Sequence, residues 1–189
     1  MKTKPLPDLN YLKECFIIDP SVPEGLRWRT QRPESHFEKA YHYKRWVTLY
    51  AGKACGSITS KGYCMYYSVH MSSNRLFNHR IIYALYNNTV DFNGKIIDHI
   101  DGNTQNNDPK NLRLVTASQN LFNSCKRKDN KTGHKNILFF KRDKRYWCVV
   151  TTMDGKKKFV GSYKTLEEAL EARNFFYTTT DKNNYRRLF

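Results

Sequence analysis

Long apolar stretches are missing from this sequence, and no uncharged run approaches the ~20 residues a helix needs to cross a bilayer. No secretory leader is expected from the opening residues, where Lys2 and Lys4 are followed by Pro5, Pro7 and Asp8 in place of an apolar core. Cysteine is sparse. Cys15, Cys55, Cys64, Cys125 and Cys148 are widely spaced, odd in number and without a Cys-x-x-Cys pair, which excludes a disulfide framework and a zinc ribbon. Reduced thiols in a cytoplasmic protein are the expectation. Acidic residues are few: 17 Asp+Glu stand against 33 Lys+Arg in 189 residues, a formal net charge of +16. That excess implies a polyanionic partner. Rings, by contrast, are plentiful, with 11 Phe, 13 Tyr and 3 Trp in a chain that is 39% hydrophobic. A disordered basic tail would be poor in both and is excluded.

The charge divides the chain. Residues 1–77 carry a net +6, residues 78–125 are neutral, and residues 126–189 carry +10. Apolar spacing predicts a helix from Leu9 to Phe16 and a strand at Leu26–Arg29. Residues 33–45 show no period and read as loop, and Thr48–Ser72 reads as a β-meander with turns at Gly52, Gly56 and Gly62. Asn78 reads as the cap of a helix running to about Asn87. Two short strands follow, Lys95–Asp98 and Leu112–Val115, separated by the thirteen polar loop residues His99–Asn111. Thr116 and Gln119 form a capping box for a helix to about Cys125. Three strands, Asn136–Lys141, Tyr146–Thr152 and Lys157–Ser162, are linked by Asp143–Arg145 and a hairpin signal at Asp154–Gly155. Thr165 and Glu168 cap a last helix to about Tyr177. The class is α+β. The expected organisation is an N-terminal helix and meander over 1–77, a strand–loop–strand–helix core over 78–125, a basic linker over 126–130, and a three-stranded sheet plus helix over 131–189.

Chemistry concentrates in the polar loop. Asp98 and His99 are adjacent at a strand end, so their side chains diverge: one is placed to hold a cation, the other to face a substrate. A hard cation prefers oxygen ligands, which Asp98 and the amide of Asn120 supply, and Mg²⁺ keeps several waters when phosphate completes its shell. Histidine accepts a proton from water at neutral pH. Asn103, Asn106 and Asn107 read as Asx turns and Asp101 as a loop brace. His79, at a helix start, reads as structural, the alternative being an approach to the active site. His36, His42, His70 and His134 stand at no telling interval from a partner.

The run Asp98-His99-Ile100-Asp101-Gly102-Asn103, then Asn111-Leu112-Arg113-Leu114-Val115-Thr116, then Ser118-Gln119-Asn120, resembles the HNH nuclease motif of phage homing endonucleases. The resemblance implies a ββα-metal fold in which His99 is the general base. It also implies that Asp98 and Asn120 hold one Mg²⁺ (or Mn²⁺) and that Asn111 braces the loop and orients His99. Asn120 replaces the last histidine of the motif, a variant found in the homing branch. Tyr11–Phe16, Asp19-Pro20, Arg27-Trp28, Ala51-Gly52-Lys53 and His79-Arg80 are similar to the amino-terminal part of phage HNH proteins.

Downstream, Trp147, Asp154-Gly155-Lys156, Val160–Tyr163 and Thr165–Ala169 resemble an AP2 DNA-binding domain, whose three-stranded sheet enters the major groove. That likeness implies phosphate or base contacts from Lys135, Lys141, Arg142 and Lys157; Trp147 reads as part of the AP2 core, the alternative being a base-stacking residue. Where plant members place charged base-contacting residues on the second strand, this sequence has Val150 and Thr152. The implied activity is metal-dependent hydrolysis of double-stranded DNA by a homing-type endonuclease, in the cytoplasm of an infected bacterial host. One site per chain implies one strand cut per monomer, a double-strand break needing a dimer or two binding events. The competing readings are a non-enzymatic AP2-like regulator and an HNH restriction-type nuclease.

Overall fold

The Asp8 carboxylate accepts the Asn10 amide at 2.8 Å and so opens α1 (Leu9–Cys15), which buries Leu12 and Cys15. The computed structural model describes residues 4–61, 64–71, 74–123, 130–152 and 156–180. They fall into two compact units, Met1–Val115 and Thr116–Phe189.

In the first unit, α1 runs into β1 (Phe16–Ile18), which pairs antiparallel with β2 (Leu26–Trp28). The stretch expected to be loop then forms a 3-10 turn at Glu34–His36 and an eleven-residue helix, α2 (Ala40–Tyr50), which also replaces the expected start of the meander at Thr48. Its only buried residue is Trp46, whose ring meets Trp28 edge-on at 5.9 Å, so there was no apolar stripe to read. The meander is real but later: β3 (Ser57–Lys61), β4 (Cys64–Met71) and β5 (Asn74–Phe77) lie in sequence order in one antiparallel sheet. Next come α3 (Asn78–Asn87) and the antiparallel pair β6 (Ile96–His99) and β7 (Leu112–Val115).

Asn78 does not cap α3. It is the first helical residue, fully buried, and donates its amide to the carbonyls of Cys55 at 2.6 Å and Glu24 at 3.1 Å. Gly56 makes room for it: at φ +131 a Cβ there would stand 2.7 Å from Asn78 Nδ2. One apolar core joins Leu12, Phe16, Leu26, Trp28 and Leu76 to Ile81, Ile82, Ala84, Ile97 and Leu112. Residues on both sides of the expected 77/78 boundary thus share a single interior.

The second unit opens with α4 (Ala117–Asn123). Its capping box forms as the sequence predicts, with Thr116 N donating to Gln119 Oε1 at 2.8 Å and Gln119 N to Thr116 Oγ1 at 3.2 Å. Residues 126–129 of the expected linker, Cys125 and the Asp154-Gly155 turn lie outside the described residues. Three strands, β8 (Ile137–Phe140), β9 (Arg145–Thr151) and β10 (Lys157–Tyr163), form an antiparallel meander with β9 central. Packed on one face is α5 (Leu166–Thr180), started by the predicted Thr165–Glu168 box. The core between them is Ile137, Cys148, Val150, Ala169, Phe176 and Tyr177.

Strand alternation then places Val150 and Trp147 on opposite faces of the sheet. Val150 is fully buried against α5, so it is not a base-contacting position. Trp147, one residue before the buried Cys148, points to the opposite face and stacks on Phe140 with centroids 4.0 Å apart, so it is not a core residue.

Candidate active site

Asp98 and Arg113 are direct partners in the β6–β7 ladder, and His99 is opposite Leu112. The pairing brings the Arg113 guanidinium to the Asp98 carboxylate, with Nε and Nη2 at 3.2 and 3.0 Å from Oδ2. His99, one residue on, points to the other face of the strand, as the sequence predicts. It is 3% exposed, and its ring meets His79 edge-on at 5.2 Å and Tyr66 at 6.4 Å. His79, whose place in the sequence favours a structural reading over an approach to the active site, forms a wall of the histidine site and packs in turn on Phe77.

The loop between the strands is held by its own amides. Asp101 accepts from the backbone of Asn103 at 2.8 Å, from Asn106 Nδ2 at 2.7 Å and from Asn111 Nδ2 at 3.0 Å. Asn111 also donates to the Asn106 carbonyl at 2.8 Å and accepts the Asp101 amide at 3.0 Å. Asn103 and Asn106 make the Asx turns expected of them, to the amides of Gln105 and Asp108. The third asparagine differs. Asn107 is 3% exposed and reaches out of the loop, donating Nδ2 to the Glu24 carbonyl at 3.2 Å and meeting His99 Nε2 with Oδ1 at 3.3 Å.

That pair of contacts selects a tautomer of the neutral ring. The Glu24 carbonyl only accepts, so it takes the amide nitrogen of Asn107 and leaves the oxygen facing His99. An oxygen facing Nε2 requires a proton on Nε2, so in the neutral ring Nδ1 is the basic nitrogen. Gly25 makes this approach possible: its φ is +69, and a Cβ there would lie 2.9 Å from that of Asn107. Thr104 ties the loop to β4 through the Met65 carbonyl at 2.6 Å.

Burial alone would raise the Asp101 carboxyl. The hydrogen bonds from Asn106, Asn111 and the Asn103 backbone, with the neighbouring His99, bring it below the ordinary value instead. Its support of the loop is therefore complete above the unfolded carboxyl value near 3.9 and is lost as pH falls through the lower folded value. We expect thermal melting of Asp101→Asn to lie below that of the wild type at neutral pH, and the gap to close below about pH 4.

Each residue singled out from the sequence has a definite place. Asp98 and His99 end β6 and Asn111 closes the loop, all in the first unit; Asn120 lies in α4, in the second. Lys141 and Arg142 are exposed in the β8–β9 turn, with Arg142 paired to Asp143 at 2.9 Å. Lys157 begins β10, at the other end of the meander. Lys135 precedes β8, and its carbonyl accepts from Arg173. These four do not form one cluster. The residues missed were Asn107, Arg113 and Tyr66. Arg113 alone carried a signal, since pairing the two four-residue strands end to end sets it opposite Asp98.

A family model for HNH endonuclease matches residues 77–121, from the end of β5 into α4. The chain thus carries an HNH endonuclease domain around the Asp98–His99 site. Among curated proteins it is similar to Protein 3.8 of Escherichia phage T7, at 36% identity over 74 residues, which are 39% of this chain and 60% of that protein. No solved structure matches. Among the described residues, no helix is long and apolar enough to cross a membrane.

Proposed function

We propose that the protein is a metal-dependent DNA endonuclease of the homing type, with His99 as general base. The observation that carries this reading is the hydrogen bond between Asn107 and His99 within the HNH domain, because it leaves Nδ1 as the nitrogen that accepts a proton. His99 takes the proton of a water, the resulting hydroxide attacks the scissile phosphorus, and the 3′ oxygen departs with the bonding pair. The edge of His79 and the ring of Tyr66 limit where the imidazole can turn. Asn111 acts one step back, holding the loop through Asp101 and Asn106.

The donor chemistry suits a hard cation. Asp98 offers a carboxylate that Arg113 steadies; by the motif's spacing alone the amide oxygen of Asn120 would be the second donor, and waters with substrate phosphate would complete the shell. When bound there, Mg²⁺ or Mn²⁺ supplies Lewis-acid stabilisation of the charge that develops on the phosphate and on the departing oxygen. Residues 131–189 are read as an AP2-like DNA-binding part, supported by its sheet-and-helix order and by its excess of basic residues. With one site per chain, a monomer nicks one strand.

Supercoiled plasmid incubated with the full chain and Mg²⁺ or Mn²⁺ should convert to nicked circle, and EDTA should stop the conversion. Absence of nicking with every divalent metal would return the chain to the class of non-enzymatic DNA binders.

A further inference from the structure

One face of the β8–β9–β10 sheet is closed by α5; the other is lined with rings. Phe140 stacks on Trp147 at 4.0 Å, and Trp147 meets Phe159 at 5.5 Å. Phe159 is 55% exposed and Leu138 45%, although solvent-facing strand positions are ordinarily polar. No strand of this sheet contains an Asp or Glu. Basic residues stand at both ends of the aromatic row: Lys141 and Lys144 in the β8–β9 turn, where Arg142 is paired with Asp143, and Lys157 where β10 begins. The seven residues of β9 place these ends about 20 Å apart by strand rise.

Duplex grooves and unpaired strands ask for different surfaces. Groove reading needs donors and acceptors aimed at base edges. This face has few, because Arg145 already donates to the Ser162 carbonyl at 3.1 Å and the central positions are Trp147 and Val149. Unpaired bases instead present flat π faces, which stack on exposed rings while cationic side chains follow the phosphates. A polyanionic occupant with apolar, planar groups matches both the charge at the ends and the rings between them.

We infer that the open face of this sheet is a stacking platform for single-stranded nucleic acid, with Trp147 and Phe159 beneath unpaired bases and Lys141 and Lys157 at the flanking phosphates. This rests on reading the chain as a nucleic-acid enzyme. It assigns the second unit to an unpaired stretch of its substrate, in place of the major groove.

The test is fluorescence anisotropy of labelled oligo(dT) and of a duplex of equal length with the full chain, across a salt series. Phe159→Ala and Trp147→Ala should each weaken oligo(dT) binding about five- to a hundredfold. Neither should change the salt slope, and Trp147→Phe should retain most of the affinity. Lys157→Ala should reduce the slope by about 0.7, the loss of one single-strand phosphate contact. Oligo(dT) affinity unchanged in both aromatic variants, or an equal loss on duplex, would overturn the platform. Because Phe159 is so exposed, its variant keeps the test decisive if Trp147→Ala unfolds. Plasmid nicking, measured in parallel, reports the nuclease reading separately: a platform that fails in a chain that still nicks condemns only the platform.

Discussion

Replacing His99 by Ala should lower the nicking rate by about 10² to 10⁴, the range that a positioned acid–base group contributes. Duplex affinity should stay within about twofold, since a buried imidazole at 3% exposure offers little surface to the phosphates. The two readouts must be taken together. A fall in rate with equal loss of affinity would mark His99 as part of the binding surface or of the fold. The variant leaves Asn107 Oδ1 without the ring, and one unpaired buried acceptor costs about 1–3 kcal/mol, so circular dichroism melting should accompany the kinetics. His99→Gln is the companion variant: it keeps a donor for Asn107 and lacks a base near neutral pH. It should therefore be nearly as inactive and more stable. Nicking by His99→Gln at the wild-type rate would remove His99 from the role of base.

What the sequence revealed, and what it concealed, follows the range of the interactions involved. Capping boxes at Thr116–Gln119 and Thr165–Glu168 were legible because both partners sit within one turn. The strand, loop and strand around Asp98 and His99 were legible for the same reason: the turn chemistry of Asp101, Asn103 and Asn106 is local. Asn107 looks like its neighbours in sequence, but its partner Glu24 is 83 residues away, and only the folded chain brings them together. Asn78 misled in the same way, as a residue type suited to capping that serves two distant carbonyls. Helix α2 was illegible because a single tryptophan anchors it. The orientation of Trp147 depends on strand parity, which the burial of Cys148 and Val150 fixes and which no residue type announces. Arg113 opposite Asp98 was the one site contact that pairing two short strands would have exposed.

Asn107 is the residue on which the catalytic reading depends most, and it should behave as a positioning residue rather than as a brace. In the wild type its oxygen accepts the Nε2 proton, a bond present in the imidazolium and stronger there because it is charge-assisted. Removing the oxygen in Asn107→Ala favours loss of the proton from the cation. The acid limb of the kcat/KM profile should then move to lower pH. The rate at the plateau should still fall, by about 10- to 100-fold, because neither tautomer is enforced and the ring is free to turn. Asn107→Asp places a carboxylate against the same nitrogen, which favours the cation, so the acid limb should move to higher pH by about one unit. Loss of the bond to the Glu24 carbonyl is common to both variants and should lower the melting temperature of each. A residue that only supported the loop would reduce rate and stability without moving the limb. Opposite displacements from two substitutions at one position, against a shared loss of stability, are the signature of an asparagine that biases the protonation equilibrium of His99. Limbs superimposed on the wild type in both variants would place Asn107 among the loop contacts and leave the tautomer of His99 to some other group.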